Sequence, residues 1–512
     1  MPTKRPAGSS VASSSFRDSR ASTAVSRTPT AGKESPMKRE HFLINGKWRA
    51  PSGADVLPTI SAATEQQIGQ SPVATTADID VAVQAARDAL PAWRDLSPVE
   101  RAGLMERLSE NLQKRTAEIG PIVAQEVGTP LAFAGAANVL GPVSQLRYYA
   151  SKARDLVIDE ERPAFAGRTI VHKEPVGVVG VIVPWNYPIG LIHFKLAPAL
   201  AAGCTVVVKP SPETALSSYL FADAVYESGF PPGVINVVPG DRVVGEHLVR
   251  HDGVDKIAFT GSTAAGRRIG ELCGAALKPV TLELGGKSAA VLLEDAPLEA
   301  FIASMGVVCM ANNGQTCVNN TRILAPASRY DDVVDAVTNA MSGYRVGDPL
   351  EAATEVGPVV NSVARDRIEG YIAEGLRAGA RITTGGGRPA GREKGWFVSP
   401  TVFADVDPGM SIAREEIFGP VLTVLPYEGG DEGAAHAAND SIYGLGGTVW
   451  SADVERGRAV ARRIDTGTVG VNTYTLDVNS PFGGHKASGL GYELGDEGLA
   501  AYFKLTSIYL PD

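Results

Sequence analysis

V-G-V-V-G-V-I-V-P, Val176 to Pro184, is an almost unbroken apolar run of strand length that ends at a proline. T-V-V-V-K-P (205–210) repeats the pattern. A strand with one wet face alternates apolar and polar residues; these do not, so both faces must be covered, as in a parallel sheet packed between helices. The intervening F-K-L-A-P-A-L-A-A-G (194–203) reads as a helix closed by Gly203. The alternation continues with a helix over 216–229, a strand over 234–240, a helix over 244–251, a strand over 255–262, a helix over 264–273 and a strand over 280–286. The fold class is therefore α/β, with a Rossmann-like parallel sheet at its centre.

In such sheets ligands bind beyond the carboxyl ends of the strands. Asn186 follows the first strand, Lys209 ends the second, and Gly261-Ser262 follows the fourth. No G-x-G-x-x-G occurs there; G-S-T-A-A-G (261–266) opens a helix instead. Its N–H groups could hold a pyrophosphate, but Gly-Ser-Thr before a helix is more often an ordinary N-cap.

Outward from this region, 79–128 reads as mainly helical. Residues 333–341, 364–375 and 453–464 read as helices, and 395–403 and 420–427 as strands, which makes a second α/β domain. The final Y-F-K-L-T-S-I-Y-L (502–510) alternates at period two. Such a terminal strand pairs either within the chain or, as an exposed edge, with another subunit. The first 36 residues are rich in Ser, Thr and Arg and poor in large apolar groups, so they read as a disordered tail, or as a segment upstream of a true start at Met37.

The 512 residues carry 44% hydrophobic and 21% charged residues and a net charge of -9. That suits a large buried core and argues against a nucleic-acid or membrane-surface partner. No apolar run approaches the roughly 20 residues of a membrane helix. The four cysteines form no C-x-x-C pair and no metal-ligand spacing, so we expect reduced thiols, a cytoplasmic setting and no metal.

One cysteine keeps unusual company: N-N-G-Q-T-C-V-N-N, Asn312 to Asn320. Structural cysteines favour apolar neighbours, as Cys204, Cys273 and Cys309 have. Cys317 reads either as an accessible nucleophile or as one more buried thiol.

Six short motifs then occur in order: P-W-N-Y-P (184–188), F-T-G-S-T (259–263), L-E-L-G-G-K (282–287), G-Q-T-C (314–317), E-E-I-F-G-P (415–420) and P-F-G-G-H-K-A-S-G (481–489). Together they resemble the aldehyde dehydrogenase superfamily, from about Phe42 to Leu510. The resemblance implies a cofactor domain (41–155 and 176–285), a catalytic domain (286–487) and oligomerisation or bridging segments (156–175 and 488–512), after a tail over 1–40. It implies oxidation of an aldehyde to its acid with NAD, NADP being the second candidate, in a homodimer or homotetramer.

A free aldehyde is a poor hydride donor and a tetrahedral adduct a good one, so a nucleophile must add first. The resemblance implies Cys317 for that role, Asn186 with the Cys317 N–H as oxyanion donors, and Glu283 as the base that hydrolyses the thioester. It implies Lys195 and Glu493 as further catalytic-site groups. It implies cofactor contacts from Trp185, Lys209, Ser211, Glu213, Gly261, Ser262, Gly266, Leu284, Glu416 and Phe418. The aldehyde tunnel would be lined by Tyr187, Gly190, Leu191, Phe194, Ala311, Thr316, Val318 and Phe482, with loop 475–480 at its mouth. That lining is apolar to aromatic and has no arginine, which favours an aromatic or bulky aliphatic aldehyde over a dicarboxylic semialdehyde.

There are two departures from the pattern. The acidic residue that NAD-preferring members often carry three residues after the ribose lysine is Pro212 here, with Glu213 one later, which loosens the expectation of NAD over NADP. Tyr492 replaces a common arginine. Two rival readings stand: a coenzyme A-acylating semialdehyde dehydrogenase, which Glu283 disfavours, and a silent binding protein on the same scaffold.

Overall fold

The computed structural model describes residues 36–511. Most of the tail expected over 1–40 therefore lies outside the described residues. Its end needs correcting: Met37–Lys38 pairs in parallel with Gln67–Pro72, and Arg39 makes a two-pronged bond to Asp223, so 36–40 belong to the folded unit.

Five parallel strands form the middle of an eight-stranded sheet, in the order Ile235–Val237, Thr205–Lys209, Val178–Ile182, Lys256–Thr260, Val280–Glu283. Sequence order runs outward in both directions from Val178–Ile182. The crevice between it and Lys256–Thr260 is thus a switch point, where two crossovers leave in opposite directions. Antiparallel strands extend both edges: Phe42–Ile44 and Lys47–Arg49 on one side, Gly489–Leu490 on the other.

The crossover helix Pro188–Ala202 is buried along its whole length, which its all-round apolar composition permits. It starts earlier than the helix expected over 194–203. Pro188 suits a first helical position, and left-handed Gly203 (φ 93°) ends the helix. Helices Thr76–Asp95, Pro98–Lys114 and Thr116–Val127 fill the stretch read as helical.

A seven-stranded sheet follows, in the order Arg381–Thr384, Thr401–Ala404, Val421–Tyr427, Asn320–Pro326, Ser288–Leu292, Gly447–Trp450, Gly470–Val471, parallel except for the first. The strand expected over 395–403 shrinks to Thr401–Ala404. Upstream of it, Gly395 is left-handed (φ 85°) and pressed on the Ala63 carbonyl, and Pro400 has no N–H for a ladder.

Phe503–Leu510 pairs antiparallel with Arg168–Pro175 over its full length, and Asp159–Pro163 completes a three-stranded arm. The terminal strand thus pairs within the chain on one side, and among the described residues its other side is a sheet edge. Of the segment 488–512, Gly489–Leu490 belongs to the eight-stranded sheet instead. Among the described residues no helix is long and apolar enough to cross a membrane.

Candidate active site

The two large sheets are joined by four residues, Leu284 to Lys287, between Val280–Glu283 and Ser288–Leu292. The joint is tight. A Cβ on Gly286 would lie 2.4 Å from the Cys317 carbonyl oxygen, and one on Gly285 would lie 2.6 Å from Glu416 Oε2. The Gly286 N–H donates to Glu416 Oε1 at 2.9 Å. The two glycines of L-E-L-G-G-K are what allow Glu283, Cys317 and Glu416 to gather at one place.

The loop carrying Cys317 explains its polar company. Asn312 (φ 53°) and Asn313 (φ 59°) are both left-handed, a conformation asparagine tolerates better than most residues. Asn312 Nδ2 donates to the Asn186 carbonyl at 2.9 Å, and its Oδ1 accepts from Thr129 at 2.6 Å. Asn313 Nδ2 donates to the carbonyls of Gly128 and Pro358, and its Oδ1 accepts from the Gly357 N–H. Gln315 Oε1 accepts from the Val360 N–H at 2.9 Å. The amides are therefore a buried scaffold for the loop, not a wet surface around the thiol. Cys317 itself is half-buried, while Cys204, Cys273 and Cys309 are buried. Burial, and then the carboxylates of Glu416 and Glu283, push the Cys317 thiol up from its ordinary pKa.

Asn186 is buried, and its Nδ2 donates to the Gln315 carbonyl at 3.0 Å. A carbonyl can only accept, so this bond fixes which end of the amide is nitrogen and leaves one N–H over. Tyr187 hydrogen-bonds Thr316, whose hydroxyl donates to the Ala311 carbonyl at 3.0 Å. Leu191, Phe194, Val318 and Phe482 share one apolar cluster, against which Trp185, Tyr187 and Cys317 pack; Phe194 and Phe482 meet edge to face at 6.0 Å. A Cβ on Gly190 would lie 2.8 Å from the Ala137 carbonyl, so the turn Ala136–Leu140 approaches the helix closely there.

Glu283 is buried, and among the described residues neither carboxylate oxygen has a hydrogen-bond partner. Burial and the like charge of Glu493 raise its pKa well above the usual carboxylate range, against the pull of Lys195. Lys195 Nζ donates to Thr260 at 2.5 Å and lies 2.7 Å from Glu493 Oε1, at ion-pair distance without hydrogen-bond alignment. Lys195, Glu493 and Glu283 are thus neighbours in a buried site.

Of the expected cofactor residues, Lys209, Ser211, Glu213, Gly261, Ser262 and Leu284 lie at or just past the carboxyl ends of strands of the eight-stranded sheet, and Glu416 and Phe418 come from the loop before Val421–Tyr427. Lys209 Nζ donates to the carbonyls of Pro210 (3.1 Å) and Gly240 (2.6 Å), and burial lowers its pKa to about 8. Ser211 bonds the Glu213 carboxylate. Ser262 accepts from the Ala265 N–H at 3.3 Å, so its side chain is the N-cap of helix Thr263–Ala275. Gly261 and Gly266 lie against Phe259 and Leu284, which a Cβ at either position would meet within 2.4 Å. Trp185 and Phe418 meet edge to face at 5.5 Å. A buried lysine, a capped helix start and two glycine-lined approaches at a switch point fit a dinucleotide.

Sequence reasoning missed four contributors. Asn138 Oδ1 accepts from the N–H groups of Ile189 and Gly190, the unpaired donors at the start of helix Pro188–Ala202. Thr129 and Asn313 brace the Cys317 loop. The density of Asn and Gln beside a cysteine was the available signal. Tyr474, next to the expected mouth loop, packs against the same apolar cluster.

The family model described as "Aldehyde dehydrogenase family" matches residues 48–508. Geranial dehydrogenase of Castellaniella defragrans is 52% identical over 474 residues, covering 92% of this chain and 98% of that protein. A Mycobacterium tuberculosis aldehyde dehydrogenase complexed with NAD+ superposes with a TM-score of 0.91 at 46% identity, covering 93% of this chain and 99% of that one. A mutant of aldehyde dehydrogenase C from Pseudomonas syringae, complexed with NAD+ and octanal, gives 0.89 at 37% identity, covering 92% and 96%.

Proposed function

Since this chain belongs to the aldehyde dehydrogenase family and is an NAD-dependent enzyme of aldehyde oxidation, we propose that it works through Cys317 and releases the free acid of an apolar aldehyde. NAD, when bound, accepts the hydride. Cys317 releases its thiol proton to water and its Sγ adds to the aldehyde carbon, and the left-over N–H of Asn186 with the Cys317 N–H stabilises the oxyanion. Loss of hydride leaves a thioester on Cys317. Glu283 takes a proton from the water that attacks it, and Lys195 with Glu493 passes that proton on.

The observation that carries this reading is the buried, unpartnered Glu283 carboxylate beside Cys317. A raised pKa suits a general base and would serve no purpose in an enzyme that hands its acyl group to coenzyme A. Lys209, Glu213, Gly261, Gly266, Glu416 and Phe418 are read as the residues that hold the dinucleotide. Glu213, tied to Ser211 and acting on Lys209, would repel a 2′-phosphate and so supports NAD over NADP. The apolar cluster of Leu191, Phe194, Val318 and Phe482 supports a bulky aliphatic or aromatic substrate. Geranial and octanal in the relatives are consistent with that class. The free edge of Phe503–Leu510 supports a homo-oligomer.

The test is reduced-cofactor formation with aliphatic, terpenoid, aromatic and semialdehyde substrates, with NAD or NADP, with and without coenzyme A, and with Cys317→Ala alongside. We expect coenzyme A-independent turnover on the apolar aldehydes with NAD, absent in the variant. Activity that needs coenzyme A, or that survives Cys317→Ala, would overturn the reading.

A further inference from the structure

Behind Glu283 lies a second buried lysine. Lys256 opens the strand Lys256–Thr260 and is 2% exposed. In the adjacent strand Thr281 is opposite Ala258 and Glu283 is opposite Thr260. Side chains alternate along a strand and partners share a face, so Lys256, Thr260, Thr281 and Glu283 all project from one side of the sheet. On that side Lys195 donates to Thr260 and Lys256 donates to Thr281 at 2.8 Å. Each lysine spends a hydrogen bond on a neutral hydroxyl. The ring of Tyr502 covers the Lys256 ammonium, 5.3 Å from its centroid.

Lys256 has no carboxylate at ion-pair distance among the described residues, and a buried charge persists only where something compensates it. The acidic group acting on it is Glu493, while the thiols of Cys204 and Cys273 pack near it. Asp255, the next residue in the chain, is engaged by Arg87 and the Val178 N–H. Burial lowers the Lys256 pKa to about 8, and its charge in turn favours the ionised form of Glu493. The enclosed set then holds two carboxylates, Glu283 and Glu493, and two ammonium groups, Lys195 and Lys256.

We propose that Lys256 is a positioning residue for thioester hydrolysis: acting through Glu493, its ammonium keeps the buried carboxylate pair short of protons, so that Glu283 is free to accept one. This rests on the reading of Glu283 as the base. In the step it serves, an O–H bond of water breaks and the proton goes to Glu283. The water oxygen bonds the acyl carbon, and the C–S bond breaks with its electron pair left on Cys317. Without the Lys256 charge, two carboxylates share one ammonium. One of them then binds a proton more readily, and the apparent pKa of the base rises.

The experiment compares Lys256→Met and Lys256→Arg in the full chain, recording the burst of reduced cofactor and the steady-state rate against pH. For Lys256→Met we expect an unchanged burst, an acid limb of kcat moved up by about one pH unit, and a roughly 10-fold loss of steady-state rate on that limb. Lys256→Arg keeps the charge and the wild-type limb. An unmoved limb in Lys256→Met, or an equal shift in Lys256→Arg, overturns the proposal. Should Lys256→Met not fold, Lys256→Gln removes the charge while keeping a donor for the Thr281 hydroxyl. Its limb should move the same way, and an unmoved limb again overturns the proposal. Glu283→Gln run in parallel separates the two ideas, because a normal steady state there removes the base assignment itself.

Discussion

Glu283 combines deep burial with two unpartnered oxygens, an arrangement that disfavours its charged form. We expect Glu283→Gln to give one burst of reduced cofactor per site and then stall; sustained wild-type turnover would contradict its role. The raised pKa also sets two pH dependences. A base works only when deprotonated, so hydrolysis should rise with pH along a limb lying above the ordinary carboxylate range. Stability runs the other way. A folded-state pKa above the unfolded value means that the folded form holds the proton longer. The contribution of this site is full below about pH 4.5 and is lost as pH rises toward the folded pKa. Glu283→Gln should therefore gain stability over wild type as pH is raised through that window, as denaturant titrations at two pH values would register. Asn186 is the complementary case. Its amide is held by Gln315, and Asn186→Ala should fold and bind cofactor while losing roughly 3–4 kcal/mol of transition-state stabilisation, a 10²–10³-fold drop in kcat.

The Cys317 loop shows what an element contributes. Two consecutive left-handed asparagines would be costly in an ordinary turn, and here buried hydrogen bonds to three segments hold them. Asn313→Ala loses those bonds and also puts a β-carbon without compensation into the left-handed region. We expect a cost of about 3 kcal/mol for Ala, with Gly milder by about 1 kcal/mol because it takes this conformation freely. Chemical denaturation measures the difference, and an Ala variant as stable as wild type would mean that the amide does not brace the loop. Asn138 plays a similar part beneath helix Pro188–Ala202 by satisfying N–H groups that the helix cannot pair itself.

For the whole molecule, Glu283 and Cys317 come together because two sheets are joined by a short, glycine-containing linker. The arm is the part left open. Leu505 and Tyr509 lie on one face of Phe503–Leu510, 64% and 79% exposed, at a strand whose outer edge is unpaired among the described residues. Leu505→Asp combined with Tyr509→Asp should shift the protein toward monomer in sedimentation velocity. A wild-type chain that is already monomeric would refute the oligomer reading.

The apolar runs at 176–184 and 205–210 determined the parallel sheet, because a strand buried on both faces cannot alternate. The glycines and asparagines around Glu283 and Cys317 marked where chain and side chains must do unusual things. Sequence periodicity could not separate a strand from the irregular stretch at 395–400, since a left-handed glycine and a proline break a ladder without changing hydropathy. Nor could it tell that the amides near Cys317 face inward, that Gly190 abuts Ala137, or that Lys256 shares a closed face with Glu283. Those facts depend on which distant segments meet. Only packing decides that, because burial and hydrogen-bond pairing belong to the assembled chain and not to any local stretch of it.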